Sequence, residues 1–144
     1  MSGLVIDASI AVKWVVDEDG TQEALSVRKH ALVAPDLLIP ECANILWKKV
    51  RLGELTVDEA AFAARLLARA DVDLAPMRSL MEEATRIAVS LDHPAYDCLY
   101  LALAESRGMP FATADERLLR KVRLDQTGRF SARVIGLAEA AALR

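Results

Sequence analysis

Cysteine and histidine are scarce in this chain. Cys42 and Cys98 are the only two cysteines in 144 residues and form no CxxC pair, and His30 and His93 stand at unrelated positions. That scarcity removes the ligand spacing of a structural zinc site. Both cysteines read instead as small buried apolar residues on inner helix faces. Both histidines read as structural, His30 on a surface helix and His93 beside Pro94 without a carboxylate partner. Aromatic residues make up only 5% of the chain against 53% hydrophobic residues overall, so the core must be built from Ala, Leu and Val. That composition suits helices packed closely on a small sheet. There is no apolar run of about 18 residues and no charged-then-apolar leader, which predicts a cytoplasmic protein with no membrane partner. Nor are cations in excess: 18 Lys and Arg face 21 Asp and Glu, a formal charge of −3. A surface that grips a polyanion everywhere is excluded, while a local basic rim is not.

What is present is an alternation of short apolar runs with helical periodicity. The length predicts one domain, 1–144, able to bury about two-thirds of its unfolded surface. Leu4 to Ile6 reads as a buried strand feeding an apolar helical stretch from Ile10 to Val16, and a turn at Asp17 to Gly20 precedes a helix over Thr21 to Ala31 with Thr21 as its N-cap. Leu32 to Ala34 is the second strand, and Pro40 sits where a first-turn proline is tolerated, opening a helix over Glu41 to Val50. Thr56 has the capping-box spacing to Glu59 and starts a helix reaching Ala70. A third strand covers Val72 to Leu74. Helices over Met81 to Leu91 and Ala95 to Arg107 follow, the latter ended by Gly108 and Pro110. Phe111-Ala112 is a fourth strand before a basic helix over Arg117 to Val122, and Val134-Ile135 adds a possible fifth. Strands alternating with helices predict an α/β fold, a three-layer α/β/α sandwich around a mostly parallel sheet of four to five strands.

Four carboxylates fall where strand passes to helix: Asp7, Glu41, Asp97 and Asp115. An open parallel sheet gathers the carboxyl ends of its strands along one edge, so acids far apart in sequence can meet there. Unmatched, they would repel one another strongly, and a hard divalent cation bound through oxygen relieves that repulsion. Singly, each acid has an ordinary role: Asp7 and Asp115 as N-caps, Glu41 and Asp97 as first-turn acids. Asp97, however, lies in the apolar run Tyr96 to Ala104, where a lone carboxylate is costly. Glu41 and Asn44, three residues apart, share one helix face, so a carboxylate and an amide could address the same ion or phosphate.

Val5-Ile6-Asp7-Ala8-Ser9, Pro40-Glu41 with Asn44, Tyr96-Asp97 with Tyr100 to Ala104, and Ala112-Thr113-Ala114-Asp115 with Leu118 together resemble the ordered motifs of PIN-domain nucleases. Within that superfamily the chain most resembles VapC-type toxin ribonucleases of bacterial toxin–antitoxin pairs, over residues 4–135. The resemblance implies a PIN-like sandwich, a Mg²⁺- or Mn²⁺-dependent endoribonuclease leaving 3′-hydroxyl and 5′-phosphate ends, and a cognate antitoxin as partner. It assigns Asp7 and Asp97 as main metal ligands, with Glu41 and Asp115 completing the acidic pocket. Thr113 and Ser9 support the site by hydrogen bonding.

An activated water would then be the nucleophile, and neither histidine is needed. Lys13, Lys48, Lys49, Arg117 and Arg120 are the candidate contacts to substrate RNA, with Arg51, Lys121 and Arg123 near them. Trp14, Trp47 and Phe62 suggest helix faces for a homodimer and a groove for an antitoxin helix, although a core position is the more ordinary fate of each. The acidic loop Asp17 to Asp19 and the tail after Asp125 match no motif. Two alternatives remain: a PIN-type RNA-processing nuclease without a toxin role, and a non-catalytic interaction module.

Overall fold

A computed structural model describes residues 3–144. Five strands, β1 Gly3–Ile6, β2 Ala31–Pro35, β3 Asp73–Ala75, β4 Phe111–Thr113 and β5 Val134–Gly136, form one sheet in the order β3-β2-β1-β4-β5. Every neighbouring pair is parallel, with Val5 opposite both Val33 and Phe111. Successive strands run outward from β1 to β3 on one side, and β4 returns to the other side of β1. The switch point of the sheet therefore lies between β1 and β4, where an open α/β sheet leaves a crevice at its carboxyl edge.

The helices are α1 Ala8–Ala11, α2 Thr21–Ser26, α3 Leu38–Arg51, α4 Val57–Ala68, α5 Met81–Leu91, α6 Ala95–Arg107, α7 Glu116–Leu124 and α8 Leu137–Ala141. They flank the sheet, giving the expected α/β/α sandwich. Strand β1 is buried along Leu4, Val5 and Ile6, and α6 buries Cys98 and the run Tyr100 to Ala104 against β1, β2 and β4. The core is aliphatic, as the composition requires. Cys42 and Cys98 are both buried in it, and burial pushes each thiol up to about 12, so both are inert packing residues.

Several local expectations hold closely. Thr56 caps α4 through a complete capping box with Glu59, and Gly108 ends α6 in the left-handed region at φ 63°. Others shift. The expected helix from Ile10 is one turn of α-helix followed by a 3-10 turn over Val12–Trp14, and the Trp14 indole donates to the Ala24 carbonyl. Thr21 is not an N-cap: Gly20, at φ 90°, holds that position, while the Thr21 hydroxyl donates to Val16 O and accepts from Glu18 N, closing the turn. Helix α2 stops at Ser26 because Val27–Lys29 tighten into a 3-10 turn and Ala31 is already paired in β2. His30 therefore lies between helix and sheet rather than on a surface helix, with its Nε2 buried and unpartnered among the described residues. The five-residue α8 was not expected, being too short and alanine-rich to show a period.

Candidate active site

Asp7 follows β1 directly and caps α1, accepting a hydrogen bond from Ser9 N at 3.1 Å. Its two oxygens are held separately. The Ser9 hydroxyl donates to Oδ1 at 2.5 Å and the Thr113 hydroxyl, at the end of β4, donates to Oδ2 at 2.5 Å. Each hydroxyl also accepts a backbone N–H, Ser9 from Ala114 at 2.9 Å and Thr113 from Asp115 at 3.0 Å. A hydroxyl has one proton to give. With both protons aimed at Asp7, the loop after β4 is tied to the carboxylate across the switch point. Burial raises the Asp7 pKa from 3.8 to about 7; the two hydroxyls pull it down, and the charges of Asp97 and Glu41 push it further up.

Glu41 stands in the first turn of α3 and accepts from the Tyr100 hydroxyl at 2.6 Å. Its pKa is raised, chiefly by burial and further by Asp97, with the Tyr100 bond opposing. Tyr100 itself is fully buried and stacks on Phe111 with ring centroids 5.5 Å apart, so the phenol that orients Glu41 is anchored in the core. Asp97 does not follow a strand as expected: it stands in the first turn of α6, directly after α5, and meets His93, whose Nε2 lies 2.6 Å from Oδ2. His93 thus has the carboxylate partner that was not expected for it. Asp92, left-handed at φ 53°, ends α5 and turns the chain so that His93 and Asp97, four residues apart, lie side by side. That spacing was the available signal for His93; none pointed from Tyr100 to Glu41. Asp115 caps α7 by accepting from Arg117 N and Leu118 N. Capping and lining the site are compatible for Asp7 and Asp115.

All four acids, with Ser9 and Asn44, line one cleft of about 410 Å³, completed by Ala8, Leu37, Pro40, Ile45 and Tyr96. No lysine or arginine is in that lining, and among the described residues none pairs with any of the four acids. Oxygen-only donors, at least two of them desolvated and without matching positive charge, suit a hard divalent cation. Among the described residues no three Asp, Glu, His or Cys side chains are gathered tightly enough to grip an ion by themselves. An ion held here would need water beside these carboxylates, a demand that suits Mg²⁺, which dehydrates reluctantly.

The candidate RNA contacts divide. Lys13 and Lys49 are drawn into the acidic loop, where Glu18 lies 3.4 Å from Lys13 Nζ and 2.7 Å from Lys49 Nζ. Their charge is spent inside the protein. Lys48, Arg117 and Arg120 are exposed, with no ion-pair partner among the described residues. Trp47 and Phe62 are more than half exposed, each with an arginine over its ring, whereas Trp14 is half-buried.

Fold and site define a doubly wound parallel α/β domain with an acidic cleft at its switch point. A family model described as the PIN domain matches residues 4–124, and the chain belongs to that family. Its relatives are of VapC type, and so is this chain. It is 32% identical over 122 residues to Ribonuclease VapC3 of Pyrobaculum aerophilum, covering 82% of this chain and 93% of that protein. Against the VapC ribonuclease Mb0985 of Mycobacterium bovis it is 29% identical over 115 residues, covering 80% and 87%. A crystal structure of a Pyrobaculum aerophilum protein superposes with TM-score 0.71 at 26% identity, over 99% of this chain and 97% of that one.

Proposed function

We propose that this chain is the ribonuclease toxin of a toxin–antitoxin pair, a divalent-metal-dependent endonuclease of RNA. The observation that carries the reading is a cleft lined by four carboxylates and by no lysine or arginine, with Asp7 buried in it. The names of the VapC ribonuclease relatives support the substrate. Asp7 and Asp97 would hold Mg²⁺ or Mn²⁺, with Glu41 and Asp115 reaching it through water. The chemistry such an ion supplies is polarisation of the scissile phosphate and acidification of a water at neutral pH. The protein's part is positioning. Ser9 and Thr113 lock both Asp7 oxygens, Tyr100 orients Glu41, His93 orients Asp97, and the Asn44 amide can address the phosphate from the Glu41 face of α3. No side chain is required as nucleophile.

One relative bears the name Exonuclease VapC9, 38% identical over 99 residues, so the mode of cleavage needs its own test. A circular RNA offers no end. Its cleavage by the protein in Mg²⁺ or Mn²⁺, abolished by chelation and by Asp97→Asn in a folded protein, is the expected result. Cutting of linear RNA alone would make the enzyme an exonuclease, and equal cutting in excess chelator would remove the metal from the mechanism.

The partner would be a cognate antitoxin, in the cytoplasm, with the toxin itself a homodimer. No helix among the described residues is long and apolar enough to cross a membrane. A groove of about 140 Å³ between α3 and α4, lined by Leu38, Ile39, Leu46 and Leu67 among others, offers an amphipathic segment an apolar seat. An arginine from that partner placed in the acidic cleft would silence it by pairing where the ion binds. Added Mg²⁺ should then partly restore cleavage in the complex; cleavage that stays blocked at saturating metal would point to obstruction of the RNA path. Solution mass with and without the partner tests the dimer.

A further inference from the structure

We propose that Tyr96 is the platform on which a nucleobase next to the scissile phosphate stacks, so that the cleft recognises single-stranded RNA by a base as well as by its backbone. The inference rests on the ribonuclease reading above and names how that site holds its substrate. Tyr96 is the residue before Asp97 and lines the acidic cleft, yet its side chain is 66% exposed, and its hydroxyl has no hydrogen-bond partner among the described residues. The other tyrosine of α6, Tyr100, is wholly buried and hydrogen-bonded to Glu41. Tyr96 therefore serves neither the core nor the orientation of an acid.

The chemistry of the cleft favours a base contact. With four carboxylates in its lining and no lysine or arginine, the cleft draws RNA phosphates only through the ion it would hold. A base seated beside the reacting phosphate adds affinity that the side chains of the cleft do not give the backbone. Leu37, Pro40 and Ile45 give the same cleft an apolar wall, and Asn44 contributes an amide with no partner among the described residues. An exposed aromatic ring, an apolar wall and a free amide are the elements that hold an unstacked base: the ring takes its face, the amide can take an edge. Bases within a duplex cannot present a face, so this site selects single strands and loops.

The test uses protein carrying Asp7→Asn, so that RNA is bound but not cut, and two probes: a single-stranded decaadenylate and an abasic ribose-phosphate decamer of equal charge. Tyr96→Ala should weaken decaadenylate binding about 5- to 100-fold, the range that stacking on one aromatic ring supplies. Tyr96→Phe should bind within about twofold of the parent, since the ring and not the hydroxyl carries the contact. Abasic decamer should bind parent and Tyr96→Ala alike. Thermal melting controls for folding, and an exposed side chain predicts little change. Equal binding of decaadenylate by parent and Tyr96→Ala would overturn the proposal, as would equal loss of both probes or full retention by Tyr96→Leu, which keeps apolar bulk without a π face. If the parent binds no RNA at all while the Tyr96 variants stay folded, the ribonuclease reading fails and this proposal goes with it.

Discussion

Two regions of this molecule withdraw carboxylates from solvent, Asp7 fully and Glu18 in part, and they treat them oppositely. In the loop before α2, burial of Glu18 is outweighed by Lys49 and Lys13, and its pKa falls below the ordinary glutamate value. At the end of β1, Asp7 meets two hydroxyls, the Ser9 backbone N–H and other acids but no lysine or arginine, and its pKa climbs to about 7. Both sites are satisfied in hydrogen bonds, but only one is satisfied in charge. A partly buried acid that has its lysines is part of the scaffold. One that lacks them is poised for a cation from solution, and the difference between the two can be tested from either side.

Removing charge from the unmatched site should have the largest effect. Asp7→Asn should lower RNA cleavage by about a thousandfold or more, as expected when a main metal ligand is lost, while metal-free stability at pH 8 stays level or rises. Cleavage assays and thermal melts of the same preparation check both; a large drop in melting temperature would show that Asp7 is structural. Next in size, Thr113→Val strips one donor from Asp7 and one acceptor from the Asp115 amide. Activity should fall about 10- to 100-fold, in line with loss of the partner that orients a metal ligand, with about 1–3 kcal/mol of stability.

The third test is pH. Because Asp7 has a folded pKa near 7 against an unfolded value of 3.8, the folded state holds the extra proton between them. Its contribution to metal-free stability is fully present below about pH 4 and is lost as pH rises through 7, an effect on the order of a few kcal/mol. Glu18 works in the opposite sense, its contribution present above the unfolded glutamate pKa and lost as pH falls through its depressed folded value. Denaturant melts in chelator from pH 4 to 8 should show the Asp7 slope in wild type and a flatter line in Asp7→Asn. Mg²⁺ should remove the penalty at neutral pH in wild type alone. Smallest is Lys49→Met, which unbalances the matched site. The pair is partly exposed and screened, so stability should fall by about 1 kcal/mol with cleavage nearly unchanged; a large loss of cleavage would return Lys49 to the RNA path.

Much of this architecture is legible along the chain because it is written in local signals. The Thr56 capping box, Gly108, and apolar runs ending in Asp7 and Asp115 act within a few residues, and each element they predict is present. Legibility fails where partners are distant. Glu41 and Tyr100 lie 59 residues apart, Glu18 and Lys49 lie 31 apart, and no local pattern ties either pair. His93 is the instructive miss, since its partner is only four residues away. The turn at Asp92 separates them into different elements, and helical spacing is not assumed across a break. Trp47 and Phe62 are undecided along the chain for another reason: hydrophobicity favours burial, but whether a helix face meets the core or solvent depends on how the helices dock.

The alternation of strands and helices was legible in the chain, as was the placing of Asp7, Glu41 and Asp115 after strands and of Asp97 at a helix start, because these follow from short-range periodicity and capping. Tertiary structure alone decided what those acids are. Whether a carboxylate is an ion-paired strut like Glu18 or an unmatched group like Asp7 depends on desolvation and on charges brought near through space, and neither exists until the sheet closes β1 against β4.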